Sequence, residues 1–184
     1  MSAKTSSARA VSPDFVLKTG TKLGNPKVDG GAQWTTEDTI HPKAFGLLGG
    51  ALLLKHKPSS QAEIHAAVVE GIPYSVLFFL TANTKSLSEN DVASVLGVST
   101  RTLRRQKEDP KKSMPPDLGS KTWLFAETLA KAEDVLGGRA EAEQWMKEEV
   151  MGLDGARPID LLRTVQGANL VNHFLERLKY GVYN

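Results

Sequence analysis

The C-terminal stretch that decides the fold, residues 157–184, reads RPIDLLRTVQGANLVNHFLERLKYGVYN. Pro158 suits the first turn of a helix, where its missing N–H is not needed. A short helix is predicted by apolar residues at helical spacing, namely Leu161, Leu162 and Val165. Gly167 is expected to interrupt this pattern. A second helix is predicted by a longer apolar stripe, namely Leu170, Val171, Phe174, Leu175 and Leu178.

The chain stops soon after this second helix. Gly181 occupies the position of a C-cap glycine, and only Val182, Tyr183 and Asn184 follow it. Two interpretations are open. The stretch is a helical hairpin that closes a core, or it is also a rigid support that presents a chain end with two tyrosines to a partner.

Upstream of this stretch the pattern is helical throughout, and no segment predicts a strand. Helices are expected near residues 43–56, 60–71, 73–81, 121–136 and 140–150. Ser60 and Ser120 are N-cap candidates, and Ser60 with Glu63 fits a capping box. The sequence therefore predicts an all-α protein of about eight or nine helices.

Residues 87–105 predict a helix-turn-helix. Ser88 caps a helix that ends at Leu96, Gly97 permits a left-handed turn, and Ser99 caps a second helix. The predicted core of the pair comprises Val92, Ala93, Leu96, Val98 and Leu103. The DNA-binding candidates are the exposed residues at and after the start of the second helix, namely Ser99, Thr100, Arg101, Arg104 and Arg105. Arginine side chains can form hydrogen bonds with guanine, and hydroxyl groups can bind phosphate. Gln106 departs from the pattern, and a helix-turn-helix used only as a scaffold remains an alternative.

Charge divides the chain unevenly although its net charge is only +2. Residues 99–112 carry six basic and two acidic side chains, whereas residues 120–184 carry eight basic and ten acidic ones. The predicted organisation is a flexible basic tail (1–35), a helix-turn-helix and dimerisation domain (36–112), a linker (113–119) and a C-terminal domain (120–184). The absence of cysteine and of a long apolar run favours a cytoplasmic protein with no membrane segment.

Catalytic chemistry is not indicated by the sequence. His41, His56, His65 and His173 lack the spacing of metal ligands, and no phosphate-binding or nucleophile motif is present. No metal site, no cofactor and no enzyme activity are therefore expected.

The C-terminal half resembles a known family of antitoxins. The segments that carry the resemblance are AEDVLGG (132–138), QWM (144–146), GL (152–153), RPIDLLRT (157–164) and LERLKYGV (175–182). In this order and spacing they resemble the toxin-binding domain of Xre/MbcA/ParS antitoxins. The upstream helix-turn-helix, with STRTL at 99–103, resembles the Xre-like half of the same proteins, so that the resemblance extends from Glu63 to Asn184.

The resemblance implies a type II antitoxin. Its partner would be a RES-domain toxin from the same operon, which consumes NAD or transfers ADP-ribose, and whose active site the C-terminal domain would cover. The residues implied in toxin binding are Arg157, Arg163, Tyr180, Gly181, Val182, Tyr183 and Asn184. The helix-turn-helix would bind operator DNA, and the protein would form a homodimer or a larger complex with toxin.

A stand-alone transcription regulator is the alternative. Its C-terminal domain would only dimerise or sense a ligand, and no toxin gene would lie beside its own.

Overall fold

The structure, a computed structural model, describes residues 40–181. The predicted basic tail (1–35) and the predicted toxin-binding residues Val182, Tyr183 and Asn184 lie outside the described residues. Between residues 40 and 181 there are nine α-helices: α1 (Ile40–Leu47), α2 (Gln61–Glu70), α3 (Tyr74–Ala82), α4 (Glu89–Leu96), α5 (Thr100–Gln106), α6 (Pro116–Leu136), α7 (Arg139–Lys147), α8 (Pro158–Leu161) and α9 (Val165–Tyr180). β-Structure in this range is limited to two isolated bridges, which confirms the predicted all-α fold.

The longest helix, α6, forms the centre of the core. It contacts α1, α2, α4, α7 and α9. Phe125 and Leu129 of α6 are completely buried, and so are its alanines at 126, 130 and 132, whose small side chains let neighbouring helices approach closely. One continuous hydrophobic core results. Within the described part of the chain, no helix has the length and apolar character needed to cross a bilayer.

The two helices predicted within residues 87–105, α4 and α5, form where the local signals predicted them. Ser88 and Asp91 form a reciprocal capping box at the start of α4. Gly97 adopts φ 69° after α4, and the Ser99 hydroxyl accepts the N–H of Thr102 at the start of α5. The predicted core of the pair is confirmed, with Val98 half-buried and the other four residues buried.

The predicted first helix (43–56) is interrupted. Helix α1 ends at Leu47, because Gly49 and Gly50 take φ values of 91° and 55°, at which a right-handed α-helix cannot continue. A short 3₁₀ turn (Gly50–Leu52) follows. The capping box predicted at Ser60 forms only in part, since the Glu63 carboxylate binds the N–H and hydroxyl of Ser59 instead of turning back to Ser60.

Two other helix boundaries differ between the prediction and the structure. Helix α6 begins at Pro116, with Pro at its first position, so that it includes much of the predicted linker (113–119) and Ser120 is not a cap. Helix α7 ends at Lys147, short of the predicted residue 150. The division into domains on the two sides of this region remains a prediction.

The two C-terminal helices are separated at a different position from the one predicted. Helix α8 is a single turn that ends at Leu161, and α9 begins at Val165 behind the N-cap Thr164, whose hydroxyl accepts the N–H of Gly167. Gly167 therefore lies inside α9 and does not interrupt a helix. Val165, assigned from the sequence to the first helix, is 66% exposed at the start of the second.

Candidate functional sites

A groove runs between the open face of α9 and the turn at residues 151–156, with a volume of about 680 Å³. The α9 side is lined by residues at spacings of three, four and three, which place them on one helix face: Leu170, His173, Arg177 and Tyr180. The opposite wall includes Leu153, Asp154 and Leu161. The other face of α9 is buried in the core through Ala168, Val171 and Leu175.

An aromatic stack fixes the position of this turn. The Phe174 ring lies parallel to Trp145, with 6.2 Å between the ring centroids and 6° between the planes. The backbone of Gly152 rests against Phe174, and a Cβ at Gly152 would lie 2.2 Å from the ring. Only glycine permits this close approach, so the wall of the groove is set by the packing beneath it.

Charged side chains border the groove. The Arg177 guanidinium lies over the Phe174 ring, 5.6 Å from its centroid, and has no ion pair within residues 40–181. Glu176 accepts from Lys131 Nζ at 2.7 Å, and this salt bridge joins α9 to α6. The groove therefore combines an apolar lining with an oriented cation at its edge.

Exposed apolar side chains are frequent in the part of the chain that forms this groove, and two of them, Leu170 and Tyr180, line it. Among the described residues, six large hydrophobic side chains are prominently exposed, and four of them lie between positions 151 and 180: Met151, Val165, Leu170 and Tyr180. Leu170 was predicted to enter the core, but it is 57% exposed, because Gly167 and Ala168 place the neighbouring stripe against the protein. Apolar exposure of this kind, next to a concave surface, is typical of a partner-binding face.

The described residues that were predicted to bind the toxin do not all lie at the groove. Tyr180 lines the groove, and Gly181 ends α9 with φ 64°. Arg157 donates from Nε to Asp160 at 2.7 Å, and Arg163 is exposed between α8 and α9; neither lines the groove. Sequence reasoning missed His173 and Arg177 as lining residues, although their spacing from Leu170 marks the face opposite the core stripe.

The predicted DNA-binding residues form a second, basic face. Arg101, Arg104 and Arg105 are exposed on α5, Thr100 is half-exposed, and Ser99 uses its hydroxyl to cap the helix. Arg101 and Arg105 have no ion pair in the described part of the chain, whereas Arg104 is paired with Glu89. Gln106 is half-buried where an apolar residue was expected. The helix presents cations to solvent in the manner that a nucleic-acid contact requires.

Neither face has the character of a metal centre. Among the described residues, no three His, Asp or Glu side chains are grouped as metal ligands would be. His41 is buried, and its Nδ1 is 2.6 Å from Oε1 of Glu127, which also accepts from the Trp123 indole. His173 is exposed at the groove.

An apolar groove with exposed hydrophobic side chains is a feature of surfaces that bind a partner. Residues 131–181 match the family model of the antitoxin Xre/MbcA/ParS C-terminal toxin-binding domain. The match begins inside α6, ends at Gly181 and contains every residue that lines the groove. It confirms the resemblance for this segment and supports an antitoxin role in a toxin–antitoxin system. Domains of this family are generally not enzymes. No curated protein matches the chain.

Proposed function

We propose that the protein is a type II antitoxin that neutralises a toxin encoded beside its own gene, and that the groove between α9 and residues 151–156 receives a part of that toxin. The observation that carries the proposal is the coincidence of the groove with the matched toxin-binding segment. Leu170 and Tyr180 offer exposed apolar contact area, and tyrosine is enriched among the residues that dominate binding energy.

The toxin belongs, in this proposal, to the RES-domain class that consumes NAD or transfers ADP-ribose from it. Support for this class comes from the sequence resemblance. Helix α9 is 16 residues long and is anchored on α6, so it forms a rigid base for the residues at its C-terminal end. Tyr180 and the following residues 181–184 are proposed to cover the active site of the toxin.

The helix-turn-helix is proposed to repress the operon that encodes both proteins. The support is the exposed basic face of α5, where Arg101 and Arg105 lack any carboxylate partner among residues 40–181. Cations of this kind replace counterions along the DNA backbone and make binding strongly dependent on salt. A homodimer or a toxin-bound complex would bring two such faces to the two halves of an operator.

Co-expression with the adjacent toxin tests the neutralising role. The full chain should restore growth and cellular NAD to cells that express the toxin, and deletion of residues 180–184 should weaken this protection. The deletion removes Tyr180, the last residue of α9, together with residues 181–184, and it should leave the thermal unfolding temperature close to that of the full chain. Full protection by the truncated protein would reject the chain end as the neutralising element, and a toxin unaffected by the full chain would reject the antitoxin role.

A further inference from the structure

One carboxylate connects the two helices of the helix-turn-helix through their charged side chains. Glu89, in the first turn of α4, accepts from Arg104 Nε through Oε2 at 3.2 Å. Its other oxygen, Oε1, accepts from Lys107 Nζ at 2.9 Å. Glu89 therefore pairs with two of the four cations between positions 101 and 107.

The four cations are thereby divided into two kinds. Arg101 and Arg105, one helical turn apart on α5, have no ion pair in the part of the chain that the structure describes. Arg104 and Lys107 are oriented towards α4 by their shared carboxylate. Lys107 is further restrained by the Phe78 ring, whose centroid lies 5.8 Å from its Nζ.

The carboxylate remains charged at neutral pH. The hydrogen bond from Lys107 lowers the pKa of Glu89 below its usual value, and the hydrogen bond from Arg104 acts in the same direction. Protonation would therefore release the two cations only in acid, well below the pH at which a cell or a binding assay operates.

We propose that Glu89 limits non-specific DNA binding by withholding Arg104 and Lys107 from the phosphate backbone, so that DNA contact depends on Arg101 and Arg105. This inference rests on the DNA-binding role proposed above. Cations on flexible side chains can reach phosphates in every register of a non-specific complex, whereas base-edge contacts fix the register of a specific complex and so limit which further phosphates a freed cation can reach. A residue that reduces the number of available cations therefore raises specificity at the expense of total affinity.

Salt titration measures how many cations contact phosphate. Affinity falls as salt rises, and each phosphate contact makes the plot of log affinity against log salt steeper by about 0.9. The probes are a duplex from the promoter upstream of the chain's own gene and a shuffled duplex of equal length. In the wild-type protein, Arg105→Gln should reduce the slope by about 0.9. Arg104→Gln should leave the slope nearly unchanged, because that cation is already withheld.

Glu89→Gln should release both cations. The slope should then steepen by about 0.9–1.8, and affinity for the shuffled duplex should rise more than affinity for the promoter. In this background Arg104→Gln should reduce the slope as Arg105→Gln does. Glu70→Gln is the matched control, since it also removes one negative charge and releases a lysine, Lys55, from a surface pair with an Nζ–Oε1 distance of 2.8 Å. The control should leave the ratio of promoter to shuffled affinity unchanged.

Two results would overturn the inference while leaving DNA binding intact. One is an equal loss of slope in Arg104→Gln and Arg105→Gln of the otherwise wild-type protein. The other is a Glu89→Gln protein with wild-type slope and wild-type discrimination. A wild-type protein with no salt-dependent affinity for either duplex would instead reject the repressor role itself, and the inference with it.

Discussion

At the scale of single residues, Gly167 determines how closely α9 approaches the end of α8. A Cβ at this position would lie 2.1 Å from the carbonyl oxygen of Leu161, which is backbone and cannot rotate away. A side chain at position 167 would therefore push the start of α9 away from the end of α8.

Replacement of Gly167 by alanine should therefore destabilise the fold despite the higher helix propensity of alanine. We expect a loss of about 1–3 kcal/mol in the free energy of unfolding, typical of overpacking, measured by urea denaturation. Gly46→Ala is the control, because Gly46 lies in α1 with no atom within 4 Å of its added Cβ. That variant should be neutral or more stable by up to about 1 kcal/mol, and equal behaviour of the two variants would contradict the assigned contact.

The sequence predicted correctly those features that depend on interactions between residues close together in the chain, such as helix caps and turns. Ser88, Gly97 and Ser99 each act within a few positions of their own sequence, and the structure places the two helices where these residues indicated. Gly167 was misinterpreted because its role depends on the carbonyl of Leu161 in another helix. A glycine that permits close packing and a glycine that ends a helix are identical in sequence.

At the scale of elements, α9 has two faces that carry apolar side chains, and only one of these faces is buried in the core. Its apolar residues predicted a helix correctly, but Leu170 and Val171 are adjacent in sequence and point to different sides. Burial of Val171 with Ala168 and Leu175 leaves Leu170, His173, Arg177 and Tyr180 on the groove. The groove itself could not be predicted, since its second wall depends on Gly152 packing against Phe174.

At the scale of the whole molecule, a buried carboxylate attaches the matched segment to the loop that precedes α4 and α5. Glu143 of α7 is 1% exposed, and its Oε2 accepts the backbone N–H groups of Lys85 and Ser86 at 2.8 and 2.7 Å. Lys147 donates to the Ser86 carbonyl at 3.0 Å, and α8 packs against α4. The loop before α4 is thus held by α7, a helix of the matched segment.

Loss of this carboxylate should weaken both parts of the molecule together. Glu143→Ala removes the buried acceptor of two backbone N–H groups, and we expect a loss of about 1–3 kcal/mol in a single urea transition followed by circular dichroism. Glu149→Ala, at an exposed position just after α7, should change stability by less than about 0.5 kcal/mol. Two separate transitions, or an unchanged midpoint in the Glu143 variant, would contradict the coupling.

The central claim is that the groove on α9 binds the toxin, and calorimetric titration of the purified protein with the toxin encoded beside it tests this claim most directly. Leu170 and Val69 are leucine and valine side chains with equal exposure, 57%, but only Leu170 lines the groove. We predict that Leu170→Glu weakens toxin binding by at least about 30-fold, as expected for a central interface residue, and that Val69→Glu stays within about twofold of wild type. Equal affinities for the two variants would show that the toxin binds elsewhere.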